Sequence, residues 1–345
     1  MSKFQDKVYK KLPGFAQDGL VTLFDVLAYR KRHGGRYKYW YNYLRNAWSF
    51  PLEQIKDLQK ERLVEFLRFA REHSAYYRSL IGTGDITREN VFDVYARIPI
   101  QSKEDIRSHI EDIYTIEKKK SVVAKTGGTT GKSLEVRFTP DDIQQRYACL
   151  DNFRAIHGYR IGDKVAWFSG KSILVDRDIR KNHYWKYDWF HHIRYYSTFH
   201  INSRTIRYYI DNLNEFRPLY AVGFPSSIYE IAKWGLENNY PLKYNMKAIF
   251  PTAETIVDHE KETLKKFFGA EVRNQYASSE GAPFITECEK GNLHIDLLSG
   301  YIEVLDKDGK PTDKGDLVFT SFTTHGTPLI RYAIKDKLTL SSRTC

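Results

Sequence analysis

Apolar residues recur at helical spacing in the first part of the chain and give way further on to short runs of β type. Over residues 52–77, Ile55, Leu58, Leu63, Phe66, Leu67 and Ala70 form one stripe, which predicts a helix turned to a core. At 98–105 a serine, Ser102, is followed three residues later by Asp105, so a capped helix is expected to start there. Thr139 caps another helix, running to about His157. Strands are then predicted at 164–168, 219–224, 247–250 and 271–276, and helices at 202–215, 225–238 and 257–268. This alternation predicts an α/β fold, a parallel or mixed sheet flanked by helices, with ligands beyond the carboxyl ends of the strands. From Asn292 the pattern changes again. Short strands at 293–295, 301–305 and 315–321, with an Asp-Gly turn at 306–309, predict a smaller antiparallel β subdomain near the C-terminus. The expected division is a helical part over 1–100, an α/β core over 101–290 and the β subdomain over 291–345.

Length and composition narrow the class. The 345 residues, 41% of them hydrophobic, suffice for one large domain or two ordinary ones. The opening residues have no apolar signal segment and no run is long enough to cross a bilayer, so a soluble, cytoplasmic protein is expected. Cys149, Cys288 and Cys345 are too few and too scattered for a disulfide framework. The net charge is +11, and residues 1–120 carry 23 basic against 16 acidic residues. Within 26–52 there is no acid, while Arg30, Lys31, Arg32, Arg36, Lys38 and Arg45 interleave with tyrosines and tryptophans. Such a stretch suits a polyanion, a glycan or weak association with an anionic membrane surface, or is simply a partly packed face. No zinc-finger or RNA-binding signature accompanies it, so a nucleic-acid partner is not expected.

The stretch least explained by folding is Lys125-Thr-Gly-Gly-Thr-Thr-Gly-Lys-Ser133. Glycines at 127, 128 and 131 free backbone N–H groups to point one way, and three threonine hydroxyls and Lys132 stand beside them. That is the chemistry of a phosphate cradle. The common G-x-x-x-x-G-K-[ST] loop would need glycine at Thr126 and would open a helix. Residues 134–139 alternate like a strand instead, so the loop joins two strands, either as a phosphate cradle or as a ligand-free hairpin.

Three later segments accompany the loop: Gly223-Phe-Pro-Ser-Ser227, Tyr276-Ala-Ser-Ser-Glu-Gly281 and Arg331-Tyr-Ala-Ile-Lys-Asp336. Together, and in this order, they resemble the adenylate-forming superfamily, most of all phenylacetate-CoA ligase and its CapK-like relatives in capsular polysaccharide biosynthesis. The resemblance implies that Thr126, Gly127, Gly128, Thr129, Thr130, Gly131 and Lys132 wrap the phosphates of ATP. Gly127 replaces the family's usual serine and Ser133 a common proline. It further implies that Tyr276 stacks on adenine, Ser279 meets the α-phosphate, Glu280 holds Mg²⁺, Glu254 lies beside the nucleotide and Asp336 binds the ribose hydroxyls of ATP or AMP. Arg331 is implied near the ribose and α-phosphate; Lys132, Glu280 and Arg331 would be the catalytic set. Phe224, Pro225 and Ser226 are pocket candidates for a carboxylic acid, which would become an acyl-adenylate and pass to CoA or an amine.

The same resemblance makes Cys288, His294 and Cys345 three of four ligands of a structural Zn²⁺ site. It also implies a C-terminal lid with a catalytic lysine, for which nothing after Asp336 qualifies. Impaired activity, a lid on a separate polypeptide, or a non-catalytic nucleotide- or glycan-binding remnant are therefore expectations too. The aromatic stretch 183–192 contains His183, His191 and His192 but no cysteine or paired carboxylate, and is expected to wall the acyl pocket or simply to pack.

Overall fold

The computed structural model describes residues 9–126, 133–341 and 345. In chain order it forms α1 (Gly14–His33), α2 (Tyr37–Ala47), α3 (Leu52–His73), α4 (Ala75–Ile81), α5 (Val91–Arg97), α6 (Lys103–Ser108) and α7 (Ile110–Ile113). The strands β1 (Val122–Lys125) and β2 (Glu135–Phe138) precede α8 (Pro140–Ile156), β3 (Val165–Ser169), α9 (Asp176–Arg180), β4 (Trp185–Asp188) and β5 (Ile193–Ser197). Then come α10 (Ile206–Phe216), β6 (Tyr220–Gly223), α11 (Pro225–Glu237), β7 (Ala248–Pro251), α12 (Asp258–Phe268), β8 (Glu271–Val272) and β9 (Gln275–Tyr276). The chain ends with β10 (Ile285–Glu287), β11 (Leu293–Ile295), β12 (Gly300–Leu305), β13 (Lys314–Ser321) and β14 (Tyr332–Thr339). The described residues group into two compact units, neither of them contiguous in sequence: 9–30, 153–276 and 286–293 make the first, the other described residues the second. No described helix is long and apolar enough to cross a membrane.

The first unit is built on a six-stranded sheet of order β4-β5-β3-β6-β7-β8. All neighbours are parallel except β4 and β5. On one face Ala166, Phe168, Ala221 and Ile249 pack against Tyr209, Leu213, Ile228, Ile231, Leu264 and Phe268 of α10, α11 and α12. On the other, Phe250 meets Phe153 edge to face. Strands covered on both faces read as continuous apolar runs, which is why β6 and β7 were visible in the sequence.

In the second unit β1 and β2 form the antiparallel hairpin expected on either side of the glycine loop. Strands β12, β13 and β14 make an antiparallel sheet, and the turn between β12 and β13 is closed by Asp306, which accepts from the N–H groups of Asp308 and Lys310. The capping box at Ser102 is present in full: its hydroxyl accepts from Asp105 N–H while the Asp105 carboxylate accepts from Ser102 N–H. Thr139 and Asp142 make the same reciprocal pair at α8.

Three expected elements are cut differently. The helix over 52–77 breaks at Ser74, whose extended backbone lets its hydroxyl cap α4 through Tyr77 N–H and donate to the Asp112 carbonyl. The helix expected from 202 begins at Ile206, because Asn202 and Thr205 close a turn first. Residues 271–276 divide into two strands. Arg273 N–H still bonds the Ile249 carbonyl, but Asn274 N–H turns to the Glu287 carboxylate and leaves the sheet. Within the aromatic stretch His191 pairs with Asp188 at 2.6 Å and the His183 ring lies tilted against Trp185, so these rings pack. The basic, aromatic segment divides: Tyr37 donates to Asp151, Trp40 to Asp141, and Tyr37 and Leu44 lie in a buried cluster, whereas Arg30, Lys31, Arg36, Lys38 and Arg45 are exposed.

Candidate functional site

In the first unit, chain order sets the location. From β3 the chain runs outward to β4 and β5 on one side, then crosses to β6 on the other, so the carboxyl ends of β3 and β6 flank a topological switch point. Phe224, Pro225 and Ser226 follow β6 at this point. The Phe224 ring lies beside Gly170, the residue after β3, about where a Cβ on that glycine would be only 3.3 Å away. Gly223 permits the turn: its φ is +143° and a Cβ there would fall 1.9 Å from the Phe168 carbonyl oxygen. Pro225 then opens α11, where its missing N–H costs nothing.

Glu254 joins this group. Thr252 N–H bonds the Gly223 carbonyl, and two residues on the Glu254 carboxylate accepts from Ser226 N–H at 3.2 Å, at the positive end of α11. Tyr276, half-buried, is tied to the same edge through its neighbour Gln275, whose amide donates to the Pro251 carbonyl. The structure thus brings Phe224, Pro225, Ser226, Glu254 and the root of Tyr276 to one end of the sheet.

The second unit holds the remaining candidates. Gly127, Gly128, Thr129, Thr130, Gly131 and Lys132 lie outside the described residues. The neck of their loop is tightly closed: Thr126 N–H bonds the Leu134 carbonyl, Leu134 N–H donates to the Thr126 hydroxyl, and Ser133 donates to the Thr126 carbonyl. The Thr126 oxygen also accepts from Lys103 Nζ at 2.8 Å. Lys103 is thereby a cation at the loop's root. Its only sequence signal is its place just after the Ser102 cap.

Ser279, exposed, and Glu280, half-buried, occupy a turn closed by Gly281 N–H to the Ser278 carbonyl. Gly281 has φ +91°, and a Cβ there would press on Thr324 and Phe138. Behind the turn, half-buried Arg146 donates to the carbonyls of Gly281 and Ala282 and to the Thr323 hydroxyl. Burial lowers this guanidinium to about 10. Asp336 sits on β14 in an irregular stretch, where pairing jumps from Val318–Ala333 to Asp316–Lys337 and Lys335 adopts φ +73°. Bulges of this kind re-aim side chains. Glu280 and Asp336 both act on one ring: burial first, then these two carboxylates, raise the Tyr332 phenol far above its ordinary value. Neither Arg146 nor Tyr332 was distinguishable by sequence pattern, because each acts through partners distant in the chain.

Arg331 stands apart. Its guanidinium makes a two-pronged pair with Glu303 at 2.8 and 3.0 Å and donates to the Ala96 and Ile98 carbonyls. Contact with a nucleotide would require it to exchange some of these bonds. His294 and Cys345 bring potential ligand atoms within 4.8 Å of each other. Cys288, six residues before His294, closes a turn with Asn292 and Gly291 in the first unit.

These strand-end and hairpin placements belong to an α/β fold shared with solved ligase structures. Solved structures agree: 2-hydroxyisobutyryl-CoA ligase in complex with 2-HIB-AMP and CoA superimposes with a TM-score of 0.61 over 81% of this chain and 68% of that one, at 19% identity. The acyl acid amido synthetase AtGH3.15 gives 0.55 over 84% and 66%, at 15% identity. No family model matches the chain. Protein CapK of Staphylococcus aureus is 32% identical over 336 residues, 97% of this chain and 73% of CapK. Phenylacetate-coenzyme A ligase of Thermus thermophilus is 25% identical over 320 residues, 86% of this chain and 68% of that protein. The chain belongs to the CapK family, within the adenylate-forming ligases.

Proposed function

We propose that the chain joins a carboxylic acid to ATP, forming an acyl-adenylate and pyrophosphate, and passes the acyl group to CoA or an amine in surface polysaccharide biosynthesis. The capsule assignment takes its support from the likeness to CapK, and CoA as acceptor from the likeness to phenylacetate-coenzyme A ligase. The observation that carries the reading is the gathering of Phe224, Pro225, Ser226 and Glu254 at the carboxyl end of β6, beside the switch point of the first unit's sheet, with the Glu254 carboxylate accepting from Ser226 N–H.

The acid would bind against Phe224, Pro225 and Ser226, with Tyr276 offering a ring face to adenine. Ser279 presents an exposed hydroxyl for the α-phosphate. Lys132 and the glycine loop neutralise the leaving pyrophosphate, with Lys103 at the loop's neck adding positive charge nearby. Glu280 is a hard oxygen donor of the type Mg²⁺ requires, and the ion would supply charge neutralisation between carboxylate and triphosphate. Glu254 orders the strand-end side of the pocket through Ser226 N–H. Cys288, His294 and Cys345 are donors suited to a structural Zn²⁺.

The test is pyrophosphate release on mixing the protein with ATP, Mg²⁺ and a panel of carboxylic acids, with Glu280→Gln and Asp336→Asn alongside. Acid-dependent release, cut at least tenfold by either substitution, is expected. Nucleotide binding without release from any acid would indicate a binding remnant and defeat the proposal.

A further inference from the structure

Helix α1 is built inside out. Over its first seventeen residues the buried side chains are polar: Gln17 is fully buried and Asp25 nearly so. The reason lies in its neighbour, β4, an edge strand with unpaired backbone donors. Asp18 accepts from Tyr187 N–H at 3.2 Å, Thr22 from Trp189 N–H at 3.1 Å, and Gln17 from Lys186 Nζ at 2.6 Å. The helix therefore caps the sheet edge with its polar face, which leaves its apolar face outside.

That outer face is a helical stripe of Leu20, Leu23, Phe24 and Leu27, all exposed, and Phe15 at the start of the helix is exposed as well. Phe15 is 71% exposed and Phe24 64%. Beside them the Trp189 indole lies against Gly19, and Phe190, 67% exposed, extends the patch from the turn after β4. Contiguous apolar surface of this kind on a folded protein marks a docking site.

Charge selects the occupant. The two acids of α1, Asp18 and Asp25, face inward, whereas Lys11 ahead of the helix and Arg30 and Lys31 towards its end are exposed. Two copies packed through this face would bring like charges together with no acid of the stripe to pair them. An anionic lipid surface meets both needs, taking the leucines and phenylalanines into its interfacial layer and the cations against its headgroups. We infer that the first unit rests on anionic membranes through α1, with Trp189 and Phe190 as interfacial anchors. The helix lies on the surface and does not cross it. This inference is independent of the adenylation reading.

Flotation with vesicles of phosphatidylcholine alone, and of phosphatidylcholine mixed with phosphatidylglycerol, tests it. Binding at least tenfold tighter to the anionic vesicles is expected, weakened severalfold by 0.5 M salt (about a threefold shorter screening length than at low salt). Phe24→Asp with Leu27→Asp should abolish binding, and Arg30→Glu with Lys31→Glu should reduce it severalfold. Because these side chains are exposed, far-UV circular dichroism and the melting temperature should be unchanged. Absence of binding to anionic vesicles, or binding that survives Phe24→Asp with Leu27→Asp, overturns the inference. So does a dimer in sedimentation that this double substitution dissociates, since a second copy would then be the occupant.

Discussion

The two units hold their share of the candidate site by different means. In the first, backbone topology does the placing. Gly223, Phe224, Ser226 and Glu254 stand at the ends of parallel strands, and a hydrogen bond from the Ser226 backbone N–H to the Glu254 carboxylate joins two of them. In the second, loops must be pinned one by one by buried and half-buried polar groups. Asp142 accepts from the N–H groups of Thr139, His325 and Gly326 and from the His325 ring, and Arg146 fastens the turn before Gly281. A sheet supplies position as a by-product of its ladder, whereas irregular chain needs a dedicated partner for every buried donor and acceptor.

The contrast breaks most sharply at Asp142. Replacing it by alanine strands several buried N–H groups and should cost about 3–5 kcal/mol in urea denaturation. Burial alone would raise this carboxyl, but His325 and the N–H donors outweigh it and hold the group below its ordinary value. Its contribution is therefore present above the unfolded pKa, near 4, and lost as pH falls through the lower folded one. Asp142→Asn should accordingly flatten the acid limb of the stability profile below about pH 4. An unaltered acid limb would deny the pinning role.

The strand-end side is probed by Gly223→Ala, which must accommodate both a positive φ and the Phe168 carbonyl. About 3 kcal/mol of destabilisation is expected, read from thermal melts. A cost under about 1 kcal/mol would mean the β6 turn tolerates a side chain and topology alone does not fix it. The smallest effect should come from Glu254→Ala. Removing a carboxylate from the start of α11 is expected to cost up to about 1 kcal/mol. Pyrophosphate release should fall far more than stability; a parallel loss of both would make Glu254 purely structural.

Much of the framework was legible because the forces that set it act over a few residues. Ser102 with Asp105, Thr139 with Asp142, and Pro225 after Gly223 mark helix starts by local hydrogen bonding or by a fixed φ, and the glycine loop announced its hairpin through the alternation that follows it. The fold class followed from strands and helices taken in order. What sequence could not determine were choices made by distant partners: the break at Ser74 by the Asp112 carbonyl, the division of 271–276 by the Glu287 carboxylate, and the engagement of Arg331 by Glu303. The same holds for α1. Its pattern shows which residues share a face, but only the open edge of β4 decides that the polar face turns inward, because unpaired strand donors cost more to bury than leucines cost to expose.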